Sequence, residues 1–398
     1  MVSVDSESFL AIVIAAAVAA LAAGMLARRF LVPVVVLEIA LGIVIGPELL
    51  GLAEPDDFVE FFSSLGLGML FFFAGYEIDF QRIRGQPLRL AALGWALSLL
   101  LAYALGGLLA MAGVVLSLVF VGSAMATTAI GTLIPILSDA GELKTRFGTY
   151  LLGAGAMGEF GPILLITLVF STKGAAANAA ILLAFVLLAV LAGIFAVRSV
   201  GHAWDVFERT LETSSQLAIR FAVVMVFALA ALAASLGLDL LLGGFVAGII
   251  LRLALRGREV EVLESKLTAV GYGFLIPFFF VVSGIKLDIG ALTADPIQFL
   301  KLPLFLALFL VVRGVPALLL YRSVLDLRDR AALAFFSATE LPLVVAITTI
   351  AVEEGHMRAS TAAGLVAAAI LSTAIYPIVG LRLRASAAPD PEPAAAPG

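Results

Sequence analysis

Long apolar runs recur along almost the whole of this 398-residue chain, and they restrict its structure before any single residue does. Thirteen are long enough to cross about 30 Å of hydrocarbon at about 1.5 Å per helical residue. They cover residues 8–27, 31–50, 58–78, 88–111, 113–137, 147–171, 177–198, 216–236, 238–254, 265–286, 298–321, 331–352 and 360–381. Inside a bilayer each backbone N–H and C=O must be satisfied within its own segment, so each run is expected to be helical. With 62% hydrophobic and 13% charged residues, the chain is too apolar to cover a soluble core of this size. The expected fold class is all-α and polytopic. The absence of cysteine excludes disulfides and thiolate metal sites.

Loop charges orient the runs. With the N-terminus outside, most basic residues fall on the cytoplasmic side, among them Arg28, Arg29, Arg82, Arg84, Arg89, Arg252, Arg256, Arg258, Arg328 and Arg330. Only Lys173, Lys286, Lys301 and Arg358 fall outside, and Arg313 lies within the eleventh run. The N-terminus is therefore expected outside and the C-terminus in the cytoplasm, in a cell inner membrane. The Arg-, Ala-, Leu- and Gly-rich composition points to a bacterial source. The first run has no basic residue before it and is long enough to span, so it reads as a membrane helix and not as a cleavable signal. Residues 8–381 form one membrane unit, and the Pro/Ala-rich residues 385–398 read as a disordered cytoplasmic tail. No G-x-G-x-x-G follows a strand-like run, so no nucleotide-binding regulatory domain is expected in this chain; no cofactor and no nucleic-acid partner are expected either.

The chain repeats itself. Its third run ends FFFAGYEID (Phe71 to Asp79) and its tenth ends FFFVVSGIKLD (Phe278 to Asp288). Setting Gly75 on Gly284 also sets Phe71 on Phe280 and Asp79 on Asp288, an offset of 209 residues. The second and ninth runs, LEIALGIVIG and LGGFVAGIIL, precede them in the same order. Runs seven helices apart cross in opposite senses, which makes this an inverted-topology repeat.

Residues 122–162 hold the chemistry. The fifth run is interrupted by Thr127, Thr128, Gly131 and Pro135, and the sixth carries one acid, Glu159, between Gly158 and Phe160. An unpaired carboxylate at mid-membrane is costly, so it must hold a proton or a cation. The hydroxyls of Ser123, Thr127 and Thr128 either bond back to their own helix or line an unwound segment whose carbonyls help to bind an ion. His202, His356 and the string Glu353-Glu354-Gly355-His356 read as loop residues. The acidic loop 54–60 faces outside, where it could concentrate cations.

Together, LVPVVVLEIALGIVIGP (31–47), LFFFAGYEIDF (70–80), SAMATTAIGTLIPIL (123–137), GAMGEFGPI (155–163), LGGFVAGIIL (242–251), GYGFLIPFFFVVSGIKLDI (271–289) and SATELPLVV (337–345) resemble the monovalent cation/proton antiporter superfamily, especially its Kef-type and NapA-like branch. The resemblance implies two broken helices crossing at mid-membrane in an NhaA-like core, packed against a dimerisation domain in a homodimer. It also implies ion or proton binding by Glu159 with Thr127, Thr128 and Ser123, and places Glu38, Arg313 and Glu340 as supporting charges. Arg313 and Glu340 are expected to pair with each other, or Glu340 to offset the half-helix dipoles. The chain departs from the resemblance in carrying Glu instead of Asp, and Gly158 where the motif usually has an Asp, Asn or Gln.

The activity implied is exchange of a monovalent cation, Na⁺ or K⁺, for protons, electroneutral because Glu159 stands without a neighbouring acid. No catalytic motif suggests an enzyme. Two rivals belong to other classes: the membrane part of a gated potassium efflux system or channel, and an organic anion carrier of related fold. The first would need a filter-like string and the second a cationic crossing; the sequence offers only Arg313 for the latter, opposed by Glu159.

Overall fold

The computed structural model describes residues 5–26, 33–78, 82–169, 175–211, 213–236, 240–255 and 261–385. Arg28, Arg29, Asp79, Lys173, Arg256, Arg258 and the tail from residue 386 onward lie outside the described residues. Among the described residues there are helices and no strands. In chain order the first nine are α1 (Ser6–Leu26), α2 (Val34–Ile45), α3 (Asp57–Glu77), α4 (Gln86–Met111), α5 (Leu118–Met125), α6 (Ile130–Asp139), α7 (Arg146–Val169), α8 (Ala175–Leu211) and α9 (Leu217–Ser235). There follow α10 (Leu240–Ala254), α11 (Glu261–Val270), α12 (Ile276–Ile285), the short α13 (Ile289–Thr293) and α14 (Pro296–Phe299), α15 (Lys301–Leu320), α16 (Leu327–Ser337), α17 (Pro342–Glu353) and α18 (Ala359–Ala385). Among the described residues, eight helical stretches are long and apolar enough to cross a membrane, and shorter apolar helices accompany them.

Two of the expected runs are each broken in the middle. The fifth becomes α5 and α6, separated at residues 126–129, and the twelfth becomes α16 and α17, separated at residues 338–341. The causes are local. Thr127 Oγ1 donates to the Ala124 carbonyl and draws the backbone out of its ladder. Pro342 opens α17 as its first residue, and Leu341 before it is not helical, at φ −158° and ψ −66°. Some helix starts are capped by side chains: Asp56 accepts from Val59 N at the head of α3, and Asp326 accepts from Asp329 N at the head of α16.

The repeat is visible as an interlock. α2 packs on α12, and α3 on α10. A Cβ on Gly42 would lie 2.1 Å from the Val281 carbonyl oxygen, and one on Gly248 would lie 2.0 Å from the Phe72 carbonyl oxygen. The 209-residue offset carries Phe72 onto Val281 and Gly75 onto Gly284. The reciprocal contacts match as well, Gly284 against Ile39 O at 2.2 Å and Gly75 against Phe245 O at 1.9 Å. Both pairs bring backbone onto backbone, which only glycine permits. Each half of the repeat thus lends one helix to a helix pair with the other half.

Candidate functional site

The site starts from the backbone that the two broken helices leave unpaired, and several of these groups find partners in the other half or in a flanking helix. Ala129 N donates to Thr339 O at 2.8 Å, joining one break to the other. Thr128 Oγ1 donates to Ser337 O at 2.6 Å, between residues that the repeat offset of 209 makes equivalent. Trp95 Nε1 on α4 donates to Ala126 O at 3.1 Å. Ser372 and Thr373 on α18 donate to Glu340 O, and Glu340 N donates to Ser372 Oγ.

Thr128 N donates to Gly158 O on α7 at 3.0 Å. That carbonyl is available because Pro162, four residues on inside α7, has no N–H to give it. The sequence GEFGP therefore does two things: it places Glu159, and it opens an acceptor one residue before it for the break to dock upon.

Arg313, only 4% exposed on α15, binds the crossing through hydrogen bonds. Its guanidinium donates to Thr128 Oγ1 (3.0 and 2.8 Å), Ser98 Oγ (3.1 Å), Ala154 O (3.2 Å) and Ser337 O (3.3 Å). The expected direct ion pair with Glu340 does not form: no salt bridge joins them among the described residues, although each charge bears on the other, and both Glu340 carboxylate oxygens lack a hydrogen-bond partner. The physical reason is that hydroxyl and carbonyl acceptors already occupy the guanidinium, those on Thr128 and Ser337 lying in the first break and at the edge of the second. Glu340 is fully buried beside Thr127, whose own hydroxyl is turned to Ala124 O. Gly158 has no room for a side chain, since a Cβ there would lie 2.5 Å from Thr128 Oγ1 and 2.6 Å from Arg313 Nη2. Where the antiporter motif usually has a side chain, this chain has the guanidinium.

Glu159 is 3% exposed and its Oε2 has no hydrogen-bond partner. The charged group that bears on it is Glu77, the last residue of α3. Glu77 Oε2 is likewise buried and unpartnered. The sequence reading overlooked Glu77, although it stands inside the quoted string FFFAGYEID; an acid at the end of an apolar run looks like a boundary residue. Of the other expected site residues, Ser123 is buried with its hydroxyl 3.2 Å from that of Tyr103 on α4. Glu38 is buried in α2, whose main neighbours are α1 and α12 and not the breaks. His356 stacks on Phe120, ring centres 5.2 Å apart. In the acidic loop, Asp56 serves as a helix cap; just beyond it, in the first turn of α3, Glu60 pairs with Lys286 at 2.7 Å.

A family profile described as "Sodium/hydrogen exchanger, transmembrane" matches residues 13–381. The chain belongs to this family. The sodium/hydrogen exchanger match covers both broken helices, Glu77, Glu159 and Arg313. YjbQ of Bacillus subtilis (strain 168) is 29% identical over 366 residues, which are 87% of this chain and 58% of that relative. The chain thus spans little more than half of YjbQ's length. The Na⁺/H⁺ antiporter NhaS4 of Synechocystis sp. (strain ATCC 27184 / PCC 6803 / Kazusa) is 30% identical over 300 residues, 68% of this chain and 71% of NhaS4. Among solved structures, the sodium proton antiporter MjNhaP1 from Methanocaldococcus jannaschii at pH 8 shares the fold. It has a TM-score of 0.62 and 16% identity over 95% of this chain and 96% of that one.

Proposed function

We propose that the protein exchanges Na⁺ or K⁺ for protons by alternating access, with Glu159 as the shared carrier, deprotonated to hold the cation and protonated to release it. The observation that carries this reading is the unpartnered oxygen of Glu159, buried where two broken helices meet and facing a second acid, in a sodium/hydrogen exchanger chain. Two carboxylates within electrostatic reach in an apolar interior hold one negative charge between them. The Glu77–Glu159 pair would then trade one proton for one monovalent cation, an electroneutral 1:1 cycle.

The cavities support an access route that is open at one end. A cleft of about 680 Å³ runs between α3, α12, α17 and α18, with Glu60, Ser63, Ser64, Thr348 and Thr349 on its walls. At the opposite end of α3, Glu77 borders a hollow of about 10 Å³, enough for one water, enclosed by Ile78, Ile83, Ile130, Ile134 and Leu152. With the N-terminus outside, as the loop charges argue, the open cleft faces outward and the isoleucine plug faces the cytoplasm. Membership of the Kef-type, NapA-like branch, a dimerisation subdomain, a homodimer and the inner membrane complete the proposal.

The test is purified protein in liposomes with an internal pH dye, challenged with Na⁺, K⁺ and Li⁺ in turn. Cation-driven proton movement is expected in the wild type and not in Glu159→Gln, which keeps the volume and removes the titratable charge. Native-rate exchange by the Gln variant would overturn the assignment. Clamping the membrane potential at zero and at large values of either sign checks the stoichiometry; a rate that follows the potential excludes 1:1 exchange.

A further inference from the structure

α11 does not run straight into α12. Pro277 cannot donate to the carbonyl four residues back, and the ladder slips there: Ile276 N donates to Gly271 O, five residues back, so Gly271–Leu275 form a π-turn. Such widened turns re-aim side chains, and here the side chain is Tyr272. Its ring rests on Phe73 of α3, with centres 5.0 Å apart. A Cβ on Gly271 would lie 2.3 Å from the Phe73 ring, so the turn is pressed onto α3.

The Tyr272 hydroxyl is buried and has no hydrogen-bond partner, and the charged groups bearing on it are Glu77 and Glu159. Beyond Glu77 stand Arg252 and Glu264, which pair with each other at 3.2 Å. A phenol oxygen and two carboxylate oxygens therefore sit orphaned together, although buried polar atoms are rarely left so. Two of them flank an open point, and the third, on Glu159, is in electrostatic reach. A carbon placed on Gly131, at the start of α6, would lie 4.0 Å from Tyr272 Oη and 4.0 Å from Glu77 Oε2, with no other atom beyond its own helix turn within 4 Å.

We propose that Tyr272 is a ligand of the transported cation, its hydroxyl oxygen completing with Glu77 and Glu159 a site beside Gly131. A hydroxyl suits the task because it serves both states. Its O–H can turn to donate to a charged carboxylate as the cation leaves, and with the cation present a lone pair faces the ion. The proposal rests on the antiport reading and adds a residue to it.

The test measures exchange in proteoliposomes as a function of Na⁺ and K⁺ for Tyr272→Phe, Phe73→Leu and Glu159→Gln, with thermal unfolding of each. Tyr272→Phe keeps the ring and loses the oxygen, so its apparent KM for the cation is expected to rise on the order of tenfold, with the maximal rate and unfolding midpoint little changed. Phe73→Leu loosens the same packing but leaves the hydroxyl, and its KM is expected to stay near wild type. A wild-type KM in Tyr272→Phe, or an equal rise in Phe73→Leu, overturns the assignment. Should Tyr272→Phe fail to fold, 3-fluorotyrosine at position 272 keeps the shape and alters only the hydroxyl; an unchanged KM there overturns it too. Glu159→Gln separates the two readings. Exchange by that variant sinks the antiport site itself, whereas its silence beside an unaltered Tyr272→Phe removes only the ligand.

Discussion

Gly158 carries more of the site than its size suggests. Gly158→Ala would set a methyl 2.5 Å from Thr128 Oγ1 and 2.6 Å from Arg313 Nη2, so one of those side chains must leave its bonds. Overpacking of this kind costs about 1–3 kcal/mol. The variant is expected to unfold at lower temperature and to exchange more slowly, as thermal scans and liposome flux will show. Arg313→Lys should be worse. One ammonium cannot reach acceptors on α4, α7, α16 and the first break at once, and the loss is on the order of 3 kcal/mol. At this scale the sequence spoke unevenly. Glu159 stood out because no neighbour in its run could neutralise it. The partner of Arg313 did not, because a buried cation suggests a buried anion, and nothing local says that hydroxyls and carbonyls from three helices and a helix break will take its protons instead.

The first break was legible from Thr127, Thr128, Gly131 and Pro135, each of which weakens a helix for a local reason, whereas the second was implied only by the family resemblance. That the breaks would pair with each other was not legible, since the bond from Thr128 to Ser337 spans 209 residues and only the fold brings them together. The π-turn was equally hidden, for Pro277 could as well have begun a fresh helix. Pro162 offers the clearest test of an element acting through its geometry. Pro162→Ala returns an N–H to α7 that competes with Thr128 N for Gly158 O. Losing that bond costs about 1 kcal/mol. The expected result is a protein that folds, with a slightly lower unfolding midpoint and faster amide exchange at Thr128. Unchanged protection at Thr128 would remove the proline from the account.

Across the whole molecule, the uneven openness of its two ends can be read chemically, because the chain has no cysteine of its own. Single cysteines at Ser64 or Thr349 in the cleft should react quickly with a membrane-impermeant maleimide added outside, and one at Ile83 in the plug should not. Equal labelling would contradict the one-sided opening. The N-terminus adds a pH dependence of known sign. The Ser8 hydroxyl holds the Asp5 carboxyl below its ordinary value of 3.8, and the Asp5 backbone N–H does the same for Asp56. Groups lowered by folding stabilise above their unfolded value and lose that contribution as pH falls through the native one. The tether from α1 to the head of α3 should therefore hold at neutral pH and loosen only below about pH 4, seen as faster amide exchange at Asp5 and Val59.

The glycine interlock of α2 with α12 and α3 with α10 has a consequence for how the chain can be divided. Neither half owns a complete pair: a fragment ending after α8 holds α2 and α3 without the helices they press against, and a fragment beginning at α9 holds the complements. Made separately, each would present bare backbone ridges to lipid. Made together from two genes, they should clasp into a working whole, and substituting Gly42 or its counterpart Gly248 with a bulkier residue should abolish that complementation to the same degree.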